Sequence, residues 1–168
     1  YNKKGGDFMF NNIIESLIDK LKKDTYLKDI KFINMFTNNT VPNPITSVIV
    51  AIGFGGSKIN NGALGDFLGY NVSGEYFGKQ TEFEMSFIIY APKKSGASKC
   101  CESFSDITNS LLFNQDELAV SSIECDEPKY NKVIGAYDLK CKAVFNLYLS
   151  KVNRESNISS IVVKGVCE

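Results

Sequence analysis

The segment Gly53-Phe54-Gly55-Gly56-Ser57-Lys58 follows the apolar run Val48-Ile49-Val50-Ala51-Ile52. A glycine-rich turn after a buried strand is where backbone N–H groups can cradle phosphate. The spacing completes neither nucleotide motif. A P-loop needs Gly, four residues and then Gly-Lys-Ser/Thr, whereas Lys58 follows Ser57 and precedes Ile59. A dinucleotide fingerprint needs Gly where Lys58 stands. The chain has no His, which removes Ser-His and Cys-His nucleophile pairs and the commonest acid-base side chain at neutral pH. Glu82 and Glu84 share a strand face, but that spacing is the solvated side of a half-buried sheet. Asp126, Glu127 and Asp138 lack the dense Asp-x-Asp-x-Asp-Gly order of a calcium loop and read as turn residues around Pro128.

The cysteines, Cys100, Cys101, Cys125, Cys141 and Cys167, are odd in number and contain no Cys-x-x-Cys. That is not a disulfide framework. Reduced, mostly buried thiols in a reducing compartment are expected. Without His, zinc would need a four-cysteine site, and no local ligand pair has the usual spacing. These residues give no catalytic, cofactor-binding or metal-ligating set, and a non-enzymatic protein is expected.

Lys and Arg number 19, as do Asp and Glu, so no net field draws the chain to nucleic acid or to an anionic membrane. No stretch approaches the apolar length of a membrane span, and the opening residues are polar, so a cytosolic protein is expected. The length of 168 residues suits one domain with its own core.

The elements that must carry any function follow from periodicity. In residues 8–23, Ile13, Leu17 and Leu21 recur every fourth residue beside Ile14 and Ile18, which predicts an amphipathic helix. Residues 29–36 predict a short strand, and residues 45–52, apolar on both faces, a buried central one. Residues 79–91 alternate Phe83, Met85 and Phe87 with Glu82, Glu84 and Ser86, which predicts a strand. A second helix to about residue 113 presents Cys100, Phe104, Ile107, Leu111 and Leu112. Residues 118–125 predict a strand. Within residues 130–152, Tyr137, Leu139, Cys141, Ala143, Phe145, Leu147 and Leu149 hold a period of two, which predicts a long half-buried strand.

Strands outnumber helices without alternating regularly with them. This predicts an α+β fold: a mostly antiparallel, mixed sheet with two amphipathic helices on one face, a long Gly-rich loop or hairpin, and an extra C-terminal strand. Residues 1–152 form the domain; residues 153–168 are a polar linker and terminal strand.

Two features suit protein contacts. Residues 53–78 hold eight of the thirteen glycines and three charges, Lys58, Asp66 and Glu75. They read as a long loop or irregular hairpin whose Phe54, Ile59, Leu64, Phe67 and Tyr76 are costly to expose unless a partner covers them. The alternative is that the segment folds back on its own core. The terminal segment, with Ile158, Ile161, Val163 and Val166, either adds to a partner's sheet edge or lies on its own.

The helix of residues 8–23, the strand of residues 46–52, the long loop, the strand Glu82-Phe83-Glu84-Met85-Ser86-Phe87-Ile88-Ile89-Tyr90-Ala91-Pro92, the helix of residues 97–113 and the strand of residues 137–149 follow in that order. Over residues 8–152 this order resembles tail terminator proteins of long-tailed phages and of phage-tail-like bacteriocins. The resemblance implies a hexameric ring that caps the head-proximal end of a tail tube and, in contractile systems, anchors the last sheath ring. In headless particles the same piece is a collar. It implies self-association, tube and sheath partners, no cofactor, and assembly in a bacterial host's cytoplasm before incorporation into a phage tail or a released particle. Residues 158–166 would then mimic a sheath arm. A tube or baseplate component is the neighbouring alternative. From another class, a small ligand-binding or enzymatic domain would use the Gly-rich segment to enclose a substrate.

Overall fold

A computed structural model describes residues 5–37, 41–60, 67–71, 74–113, 119–150 and 160–162. Helix α1 (Gly5–Lys23) ends on Lys20, Lys22 and Lys23, which suit the negative pole of its dipole. The chain then turns through a short 3-10 segment, Thr25–Leu27, where the Asp24 carboxylate accepts from the Tyr26 N–H at 3.0 Å. Strand β1 (Lys31–Asn34) runs parallel to β2 (Ile49–Asn60), pairing Lys31 with Ile49 and Asn34 with Ile52. Strand β3 (Phe67–Asn71) is antiparallel to the start of β4 (Gly74–Pro92). Helix α2 (Ser98–Phe113) leads to β5 (Val120–Cys125), β6 (Lys129–Asn131), β7 (Ala136–Ser150) and β8 (Ser160–Val162).

The strands lie in the order β1-β2-β4-β7-β5, antiparallel apart from β1 and β2. The fold is α+β, with a mixed sheet and both helices on one face. That face is the odd-numbered side of β4 and β7: Phe83, Met85, Phe87 and Ile89 with Leu139, Ala143, Phe145 and Leu147 form one cluster with Ile14, Leu17 and Leu21 of α1 and Ile107 and Leu111 of α2. Each such side chain contributes about 1.5–3 kcal/mol by leaving water. A smaller cluster of Ile33, Ile45, Ile49, Ala51 and Ala136 lies apart. Alternate residues of β2 thus serve two clusters, which explains why its sequence is apolar on both faces. Asn34 is buried at the end of β1, where its amide donates to Asn11 Oδ1 at 2.7 Å and its Oδ1 accepts from the Phe36 N–H at 2.9 Å. Strand and helix are thereby tied by a satisfied polar side chain.

Several expectations shift. The central strand starts at Ile49 rather than Ile45 and runs on to Asn60. The segment of residues 130–152 is two strands, because β6 turns into β7 through residues 132–135. Asn131 Oδ1 accepts from the Val133 N–H at 3.1 Å, and Gly135 takes φ 64°, where an L side chain is strained. On α2 the buried stripe is Cys100, Ser103, Ile107, Ser110 and Leu111, while Leu112 is exposed. A residue directly after Leu111 lies about 100° around the helix and leaves the stripe. Among the described residues no helix is long and apolar enough to cross a membrane.

Thr81 of β4 is fully buried, and its hydroxyl has no hydrogen-bond partner among the described residues. An unpaired hydroxyl costs its desolvation, so Thr81→Val should stabilise the protein by about 1 kcal/mol. The expected readout is a higher urea midpoint at unchanged slope. A lower midpoint would show that the hydroxyl is satisfied after all.

Candidate assembly surface

Pairing between β1 and β2 ends at Ile52, but β2, β4 and β7 continue together well past that level. The extension runs through Gly53–Asn60 of β2, opposite Gln80–Ser86 of β4 and then Lys142–Asn146 and beyond on β7. Glycine-rich sequence here is strand rather than free loop. Its register is interrupted between Phe54 and Gly56. A Cβ on Gly55 would meet Glu84 Oε1 at 2.6 Å and Ser86 Oγ at 2.8 Å, so the missing side chain lets these polar groups lie over the irregular strand.

The candidate contact residues separate. Phe54 is half-buried, packs on the main cluster and sets its ring 5.3 Å from Phe83 at a tilt of 36°. It is a core residue, as the fold-back alternative requires. Ile59, by contrast, is 56% exposed, in register with Thr81. Phe67 lies in β3 and Tyr76 in β4, in adjacent positions of the β3–β4 ladder. Leu64, Ile158, Val163 and Val166 lie outside the described residues. Ile161 lies in β8, which pairs within the chain: Tyr148 with Val162, Leu149 with Ile161 and Ser150 with Ser160.

Phe77, an apolar residue of the same Gly-rich segment left out of the candidate contact set, is 46% exposed in β4 beside Gly78. Sequence reasoning missed the exposed Tyr26, Phe36, Phe113 and Val133. For Leu112 and Phe113 the signal was present: two large apolar residues continue past the last member of a helical stripe.

The far edge of β7 is tiled by three short strands, with β6 against residues 136–138, β5 against 141–145 and β8 against 148–150. This rim is charged and paired. Lys142 Nζ lies 3.2 Å from Glu124 Oε2, and that contact raises the lysine pKa. Asp138 accepts from the Asn131 amide at 2.9 Å, and Lys93 Nζ stands 5.6 Å from the Tyr130 ring. Asp126 and Glu127 do lie in the link before β6, whereas Asp138 belongs to β7. Shallow grooves lined by Glu84, Glu124, Lys140 and Lys142, and by Lys129, Tyr130, Lys132 and Asp138, carry both signs. Among the described residues no group of three or more His, Cys, Asp or Glu is arranged to hold a metal ion.

The thiols also depart from expectation. Cys100 and Cys141 are buried, but Cys101 and Cys125 are exposed. Burial, followed by the charge of Cys101, pushes Cys100 up to about 11; burial, followed by the charge of Cys125, pushes Cys141 up to about 12. Cys100 sits on the first turn of α2 with its Sγ 3.8 Å from the Ile89 carbonyl and 3.9 Å from that of Tyr137, so the helix start rests on two central strands.

What this arrangement offers is an extension of three long strands that exposes Ile59 and Phe77 alongside Lys58, Glu82 and Glu84, next to a charged rim. Compared with known proteins, the chain matches no protein-family model and no curated sequence.

Proposed function

We propose that this chain is a structural assembly protein that forms a ring, caps the head-proximal end of a tail tube as a tail terminator or collar, and anchors the last sheath ring. The observation that carries this reading is the extension of β2 and β4, which displays Ile59 and Phe77 to solvent. In this reading both side chains belong to one surface that another chain covers. The order of helix, strands, helix and long closing strand agrees with the resemblance in the sequence. In this reading the ribbon contacts neighbouring subunits and the tube, and β8, on the rim of its own sheet, offers the sheath contact.

Light scattering across a concentration series is the direct test. The expected result is a multimer, or a mass that rises with concentration, together with binding at one end of tail tubes in electron micrographs. A monomer at every concentration that leaves tube ends bare would end the proposal.

A further inference from the structure

We propose that Cys125 and Cys141 form a cross-strand dithiol that closes to a disulfide, a redox modification site on the rim of the sheet. The inference does not rest on the assembly reading. The β5–β7 ladder places Cys125 directly opposite Cys141. One residue further on, the Asp126 N–H donates to the Lys140 carbonyl at 2.8 Å. Hydrogen-bonded and non-hydrogen-bonded pairs alternate along an antiparallel ladder, so 125 and 141 occupy a non-hydrogen-bonded pair, where Cα atoms approach to about 4.5 Å. That separation falls inside the range of roughly 4.4–6.8 Å that a disulfide spans without backbone movement. Opposed residues in a ladder also project to the same face, so both thiols stand on the helix side of the sheet.

The two sulfurs differ in access. Cys125 ends an edge strand and is exposed; Cys141 is buried, with its Sγ 3.8 Å from the Leu139 carbonyl. Burial raises both thiols, and each is raised further by neighbouring cysteines, Cys125 by Cys101 and Cys141 by Cys125. Both shifts disfavour the thiolate and slow the reaction at neutral pH; exposure alone makes Cys125 the entry point and leaves Cys141 as the resolving thiol.

The oxidant is a low-molecular-weight disulfide such as oxidised glutathione. The Cys125 thiolate attacks one of its sulfurs, forms a mixed disulfide and expels a thiolate. The Cys141 thiolate then attacks the Cys125 sulfur, closes the intramolecular bond and expels the second thiolate. Two electrons pass to the oxidant and the two released thiolates take up the two thiol protons, so one protein disulfide and two small thiols result. Cys100 is held between backbone carbonyls on the first turn of α2, and Cys101 is the competing exposed thiol.

The test treats the full chain with oxidised glutathione, blocks free thiols, and maps peptides without reduction. The expected result is a Cys125–Cys141 peptide two hydrogens lighter than its parts, with Cys100 and Cys101 still open to alkylation after unfolding. Cys125→Ser, at an exposed position, should abolish the crosslink, and Cys101→Ser should leave it intact. A bond from Cys125 to Cys101 or Cys167 would overturn the assignment. So would a glutathione adduct on Cys125 that persists without being displaced.

Discussion

Phe83→Ala is expected to destabilise the protein by about 3–5 kcal/mol, a large share of the roughly 5–15 kcal/mol that holds a domain of this size folded. Phe83 is fully buried, stands in register with Phe145 of β7 and Ser57 of β2, and carries the Phe54 ring 5.3 Å away. Its strand is paired on both sides, by β2 and by β7. The ladders hold the backbone in place, so the cavity cannot close by letting β4 move inward, and the lost contacts are not recovered. Urea unfolding should show a lower midpoint at a similar slope. A loss below about 1 kcal/mol would mean that this part of the core is loosely packed and that the ladder does not constrain it.

Ile59→Ser with Phe77→Ser is expected to do the opposite: unfolding free energy within about 0.5 kcal/mol per site, but association weakened by roughly a hundredfold or more. Both side chains are about half exposed in the single chain, so removing them costs the monomer little. In the proposed ring each is covered, and burial of such a side chain contributes about 1.5–3 kcal/mol. Light scattering should show the mass-against-concentration curve displaced to higher concentration, and tube ends should be left uncapped. Phe54→Ser is the contrasting variant. Its ring packs on the core, so it should lower stability before it alters any contact. If the double variant associates and caps like the parent, the ribbon is not the assembly surface.

The contrast between Phe54 and Ile59 shows where sequence reasoning stops. They lie five residues apart in one glycine-rich strand, and both read as sticky and uncharged. In the structure the register break between Phe54 and Gly56 sets both on one face of the sheet, opposite Met85 and Thr81, yet Phe54 packs against Phe83 and the core while Ile59 stays 56% exposed. A one-residue slip in a ladder moves side chains to the other face, and only the pairing partner records that slip.

Periodicity by itself determined the helix stripe of Ile14, Leu17, Ile18 and Leu21, the inward row Phe83, Met85 and Phe87, and the alternation of β7 from Leu139 to Leu149. These signals are local, since a helix or half-buried strand repeats the same environment every few residues along its own chain. The absence of His and the failed nucleotide spacings were equally legible, because those chemistries need particular residue types in order. Tertiary structure alone decided that β8 lies on β7, that Cys125 stands opposite Cys141, and that three short strands share one edge of β7. Each of these joins backbone groups far apart in sequence, and no residue's own preference encodes which distant strand its N–H and C=O groups will meet.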